Sequence, residues 1–70
     1  MYTVKNVPAY VAESCAEWLV ITQIGDDLWF WGAWKDQTAA IDAAIRIDRE
    51  NDTLNHWVLP IEDCECEWRG

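Results

Sequence analysis

The stretch from Glu17 to Trp34 constrains the fold of this chain more than any other part of the sequence. It reads EWLVITQI, then GDD, then LWFWGAW, and it contains four of the six tryptophans. β-Branched and aromatic residues are typical of strands, and Gly-Asp-Asp is typical of a tight turn. We therefore predict two antiparallel strands, Glu17–Ile24 and Leu28–Trp34, joined by a turn at Gly25–Asp27.

Both faces of this hairpin carry large apolar side chains, because successive residues of a strand point to opposite sides. A three-residue loop places Trp18 opposite Trp34, whereas a two-residue loop brings Trp29 and Trp31 to the side of Trp18. Aromatic residues lie on both faces in either register. Since an antiparallel sheet with one solvated face should show a polar side, we expect one apolar face to remain open for contact with another molecule.

The size of the chain indicates a single domain over residues 1–70, with a thin margin of stability. Hydrophobic residues make up 51% of it, which favours a folded globule over a disordered segment. There are 13 Asp and Glu residues against 5 Lys and Arg, giving a net charge of −8. Nucleic acids and anionic membranes attract clustered Lys and Arg, so this charge argues against both as direct partners and favours a basic protein surface.

The three cysteines, Cys15, Cys64 and Cys66, bear on the cellular compartment. Their number is odd, and the Met-Tyr-Thr-Val-Lys start lacks the apolar core of a secretory signal. Reduced thiols fit this pattern best, and no apolar run is long enough to span a bilayer. We therefore expect a cytoplasmic protein.

The remaining segments flank the hairpin. Tyr2–Val7 alternates apolar and polar residues and predicts a first strand, whereas residues 8–16 are compatible with a short helix, an irregular turn or an extended segment. Asp36–Asn51 is the clearest helix, because it begins with a good N-cap and is rich in helix-forming residues. Leu54–Leu59 predicts a strand, and residues 61–70 predict either an edge strand or a loose acidic tail.

These elements predict an α+β fold. We expect an antiparallel sheet of three to four strands with the main helix, residues 36–51, packed on one face. If residues 8–16 are helical, the order becomes βαββαβ, a miniature ferredoxin-like arrangement. Both versions place the helices on one face of the sheet and leave the other face available.

A candidate metal site consists of His56 with Cys64 and Cys66. Structural zinc sites have about four ligands and usually contain C-x₂₋₄-C pairs, whereas this chain offers one C-x-C and one histidine. The acidic residues Asp26 and Asp27 and those of the tail lack the EF-hand pattern. We therefore assign no metal ligand and interpret these acids as a solvated charged face.

Catalytic patterns are also missing from the sequence. Ser14 is the only serine and His56 the only histidine, so a serine–histidine–acid triad has no support. Gly25 and Gly32 stand alone and do not form a phosphate-binding loop. We predict that the chain is not an enzyme and uses no cofactor.

The residues from Trp18 through DQTAAIDAAIRI to LNHWVL carry a resemblance that covers residues 17–60. They resemble a strand, turn, strand, helix, strand pattern found in small uncharacterised proteins of bacteria and phages, in which the helix begins D/S/T-x-x-x-A-I-x-A-A. The size, acidity and aromatic content are also similar to those of phage-encoded inhibitors such as anti-CRISPR proteins. This resemblance carries over no chemistry and no individual residue.

We therefore predict a protein-binding module that blocks a basic surface of a host protein, as a phage or mobile-element inhibitor would. The predicted contacts are apolar hairpin residues and acidic residues of the turn and tail: Trp29, Trp31, Ile21, Asp26, Asp27, Glu65 and Glu67. One alternative is a structural homodimer, in which the partner is a second copy of the chain. Another is aromatic-face binding to single-stranded nucleic acid, which the net charge opposes.

Overall fold

The computed structural model describes residues 1–50 and 55–69. The strands are β1 (Tyr2–Pro8), β2 (Trp18–Ile24), β3 (Asp27–Trp34), β4 (Asn55–Pro60) and β5 (Cys64–Arg69), and the helices are α1 (Tyr10–Glu13) and α2 (Gln37–Glu50). A 3₁₀ turn, Ile61–Asp63, connects β4 to β5. The predicted helix end at Asn51 and strand start at Leu54 lie outside the described residues.

The strands of the described residues form one mixed sheet in the order β4-β2-β3-β1-β5. β2 is antiparallel to β3 and β4, whereas β1 is parallel to β3 and β5. The α+β class is therefore confirmed, but the expectation of an antiparallel sheet of three to four strands is wrong. The tail accounts for much of the difference, because Cys64–Arg69 adds a parallel edge strand beside β1.

The sheet curls, because a very short connection joins its two edges. β4 and β5 are the opposite edges, and at about 4.8 Å per strand the edges of a flat five-stranded sheet would be roughly 19 Å apart. The three-residue turn between them allows Pro60 and Cys64 to be about 14 Å apart at most. The Ile61 N–H donates to the Glu17 carbonyl at 2.9 Å, which holds this turn against the start of β2.

The curl creates an inner face, which we define as the face that carries Leu19 and Ile21 of β2. Both side chains are fully buried, and they pack with Val4 and Val7 of β1 and Val11 of α1. This inner core is therefore enclosed largely by the sheet itself, with a single helical turn added.

The outer face is the opposite side of the sheet, and α2 covers it. The small side chains of Ala40 and Ala44 allow the helix to approach closely, and with Ile47 they pack against Val20 of β2. Three partly buried residues of the strands complete this outer core: Trp18, Trp34 and Val58.

The expectation that both helices share one face and leave the other available is therefore wrong. α1 packs on the inner face through Val11, whereas α2 packs on the outer face. The element order through β4 is the βαββαβ of the alternative, but α1 has only four residues and cannot act as a second covering helix. Neither of the helices that the structure describes has the length and apolar character that a membrane span requires.

Candidate functional site: an outer aromatic surface beside α2

A β-bulge decides where the hairpin tryptophans point. The turn end of the hairpin has a two-residue loop, with Ile24 opposite Asp27, whereas at the other end Trp18 lies opposite Trp34, as the three-residue loop predicted. The register changes at Trp31, which is the extra residue of the bulge. Each of the two predicted registers is therefore present in one part of the hairpin.

The bulge places the four hairpin tryptophans on the outer face. Two of them belong to the outer core described above. Leu28 and Phe30 pack in the inner core, so Trp29 between them points outward. Trp31 lines a groove with α2 on the same side. The outer face of the hairpin is thus richer in indoles than one helix can cover.

The Trp31 indole is held against a buried histidine. The ring centroids of Trp31 and His56 are 5.2 Å apart, and the rings are nearly perpendicular at 86°. The His56 side chain is fully buried, and its Nδ1 lies 2.7 Å from Oδ1 of Asp48 on α2. The His56 Nε2 has no hydrogen-bond partner among the described groups. Trp31 is thus packed on one side, while 44% of the residue remains exposed.

A groove of about 490 Å³ runs between Trp31 and α2. Its lining combines apolar side chains of β3 and the helix with three charged helix residues: Trp31, Trp34, Ala39, Ala43, Ile47, Asp42, Arg46 and Glu50. This arrangement provides an apolar channel bordered by charges of both signs, which is the form of surface that a partner side chain can enter.

Charged side chains border the tryptophans on the side away from α2. The Lys5 Nζ lies 5.8 Å from the ring centroid of Trp29 and 3.5 Å from Oδ1 of Asp27. Glu65 and Glu67 are exposed and point outward, because the cysteines with which they alternate pack in the inner core. We define the outer aromatic surface as Trp29, Trp31, Lys5, Asp27, Glu65 and Glu67.

Two of the predicted contact residues do not lie on this surface. Ile21 is fully buried in the inner core and cannot reach a partner. An unbroken three-residue register would put Ile21 opposite Trp31, but the bulge places it opposite Phe30. Asp26 lies in the hairpin turn and lines a separate groove on the inner face.

His56 does not meet the cysteines of the tail, because it faces α2 while Cys64 and Cys66 pack in the inner core. Within residues 1–50 and 55–69, no group of three or more His, Cys, Asp or Glu side chains is arranged to hold a metal ion. Burial, with the charges of Cys66 and Asp63, raises the pKa of Cys64 to about 11, and burial also raises the pKa of Cys66. Both thiols therefore stay protonated at neutral pH and pack as small apolar groups.

Sequence reasoning missed the pairing of Asp48 with His56. Asp48 interrupts the apolar face of α2 near the end of the helix, a position at which an acidic side chain usually reaches water. The usable signal was an acid at an otherwise apolar helix position together with a histidine in the next strand. Sequence reasoning also missed the inner-face groove, because Tyr2 and Trp57 lie at distant positions in the chain.

In comparisons with known proteins, no protein-family model, no curated protein and no solved structure matched this chain. Its function is therefore inferred from its own geometry and charge.

Proposed function

We propose that this chain is a non-enzymatic protein-binding module whose outer aromatic surface docks on a basic surface of another protein. The observation that supports this most is Trp31, an exposed indole whose other side packs against the buried ring of His56. Tryptophan is enriched among the residues that dominate binding energy in interfaces. A ring that is already fixed in place also loses little side-chain entropy when a partner covers it.

The charge around the indoles favours a basic partner. Asp27, Glu65 and Glu67 outnumber Lys5, and Lys5 is already within 4 Å of Asp27. The whole chain carries a net charge of −8, so its field attracts a positively charged surface and accelerates encounter. The surface therefore pairs an apolar anchor, which stabilises the complex, with acidic neighbours, which select the partner.

A basic surface on a protein often serves to bind the phosphate backbone of a nucleic acid. A small acidic module docked there blocks the surface by occupying it, without any chemical step. This is the action expected of a phage or mobile-element inhibitor of a host protein.

The test compares two exposed tryptophans in one chain. A tagged chain captures its partner from a bacterial lysate, and the affinity for the purified partner is then measured by interferometry. Trp31→Ala should weaken binding by about tenfold or more, which corresponds to a hot-spot residue. Trp68→Ala is the matched control, because Trp68 is similarly exposed (49%) but belongs to β5 and lies outside the outer aromatic surface. Thermal unfolding of both variants verifies that each retains the fold.

Three results would contradict the proposal. Binding that survives Trp31→Ala, or that falls equally in both variants, would exclude the outer aromatic surface as the docking site. Light scattering over a dilution series measures the oligomeric mass. A parent dimer that Trp31→Ala converts to a monomer, with no other protein bound, would favour a structural homodimer. Tight binding of a labelled single-stranded oligonucleotide at low salt would favour nucleic-acid binding instead.

A further inference from the structure

A second groove, of about 450 Å³, opens on the inner face. Tyr2 of β1 and Trp57 of β4 line it, and they are 50% and 51% exposed. β2 and β3 separate these two strands in the sheet order, so it is the curl of the sheet that brings the two rings to one cavity. We call this cavity the Tyr2–Trp57 groove.

The groove combines an aliphatic floor with one carboxylate. Leu28 and Leu59 supply the accessible aliphatic surface, and Asp26 is the only charged side chain among the described residues that line the groove. Gln23 also lines the groove, and its Nε2 donates to the Gly25 carbonyl at 3.3 Å, which braces the turn that carries Asp26. The carboxylate is therefore presented from an ordered turn.

An aliphatic floor, two aromatic side chains and one carboxylate match a long side chain that ends in a planar cation. The methylene stem of arginine packs on aliphatic surface, and its guanidinium stacks on aromatic rings. A carboxylate accepts two parallel N–H bonds from that guanidinium. The ammonium of lysine is more strongly hydrated and lacks the planar shape, and an uncharged side chain would desolvate Asp26 without pairing it.

The Tyr2–Trp57 groove and the outer aromatic surface both include a residue of the hairpin turn. Asp26 lines the groove, and the next residue, Asp27, belongs to the outer aromatic surface. A partner segment that crosses this turn reaches both, although they lie on opposite faces of the sheet.

We infer that the Tyr2–Trp57 groove receives an arginine side chain from the basic partner. This inference rests on the proposed function only for the source of the arginine. The groove itself is tested on the isolated chain with a small peptide, so the two proposals can fail separately.

The experiment is an NMR titration of the ¹⁵N-labelled chain with acetyl-Gly-Arg-Gly-amide at physiological ionic strength. We expect saturable shifts at the indole N–H of Trp57 and the side-chain amide of Gln23. The matched peptide carries citrulline, which keeps the length and planar end of arginine but not the charge. It should bind about fivefold more weakly or worse, and a lysine peptide should also bind more weakly.

Variants of the chain localise the effect. Asp26→Asn and Trp57→Ala should each weaken the arginine peptide by about threefold or more. Glu13→Gln removes one exposed carboxylate from α1, outside the groove, and should leave the affinity unchanged. The NMR spectrum of each variant reports whether it is folded, so loss of binding is not confused with unfolding.

Equal binding of the citrulline peptide, or shifts spread over the acidic surface with no response at Trp57, would overturn the inference. Trp31→Ala should leave peptide binding intact. If the peptide fails to bind while partner capture still requires Trp31, the groove assignment is wrong and the proposed function stands. If the peptide binds as expected while Trp31→Ala leaves the affinity for the partner unchanged, the groove assignment stands and the proposed function is wrong.

Discussion

The indole of Trp34 lies over Gly32, so close that a Cβ atom added to Gly32 would be 2.5 Å from Cη2 of Trp34. Gly32 follows the bulge residue Trp31 and pairs with Val20 on the outer face. The absence of a side chain at Gly32 gives the ring room to fold back along its own strand and pack beneath α2. Gly32 therefore leaves the space that the Trp34 ring occupies beneath the helix.

Gly32→Ala should lower the free energy of unfolding by about 1–3 kcal/mol, the usual cost of inserting a methyl group into a packed site. The Trp34 ring packs against the outer core beneath α2, so a shift of the ring would cost contacts there. Urea denaturation monitored by tryptophan fluorescence measures the change. In a Trp34→Leu background the same substitution should cost much less, and an equal cost in both backgrounds would show that the ring is not the obstacle.

Asp48→Ala should also destabilise the fold, by about 1–3 kcal/mol, because it leaves the buried Nδ1 of His56 without its partner. The double variant Asp48→Ala/His56→Leu should recover most of that loss, since it removes both polar groups together. Denaturation of the parent and of both variants under one set of conditions tests this. A single Asp48→Ala variant as stable as the parent would mean that the 2.7 Å contact contributes little.

Stability should fall at alkaline pH through Cys64. Burial, and then the charges of Cys66 and Asp63, raise its pKa from 9.0 to about 11, so the folded state holds the thiol proton more tightly than the unfolded state does. The stabilisation is fully present below pH 9 and is lost as the pH rises towards 11. Urea denaturation across this pH range, with reductant present, should show that the free energy of unfolding falls less steeply with pH for Cys64→Ala than for the parent. Identical slopes would exclude Cys64 as the cause.

The local elements could be predicted because neighbouring residues determine them. The main helix is an example: α2 begins at Gln37, and the Thr38 N–H donates to Oδ1 of Asp36 at 3.4 Å, as the N-cap prediction requires. The hairpin strands were also predictable, because their β-branched and aromatic residues are bounded by turn residues.

The curl and the strand order could not be predicted, because they depend on pairing between distant segments. Nothing in the tail CECEWR specifies that it pairs in parallel with β1. The bulge at Trp31 is one extra residue that alternation cannot reveal, and it changes the strand partner of Ile21 from Trp31 to Phe30. Trp31 and Glu65 share a surface only because β1 lies between their strands.

The acidic tail should govern the rate of partner binding more than the lifetime of the complex. Glu65 and Glu67 are exposed at the edge of the outer aromatic surface, where charges accelerate encounter without being fully desolvated. Glu65→Gln/Glu67→Gln should lower the association rate constant by roughly three- to tenfold at low salt, with little change in the dissociation rate constant.

The matched control for the tail is Glu62→Gln/Asp63→Asn, which removes the same number of charges from the 3₁₀ turn, outside the defined surface. Interferometry against the captured partner should show a smaller loss of association rate for this control. Added salt screens the charges and should make the association rate constants of the variants and the parent converge. Equal losses would mean that total charge alone steers the encounter. The outer aromatic surface would then contribute its indole anchor but no electrostatic selectivity.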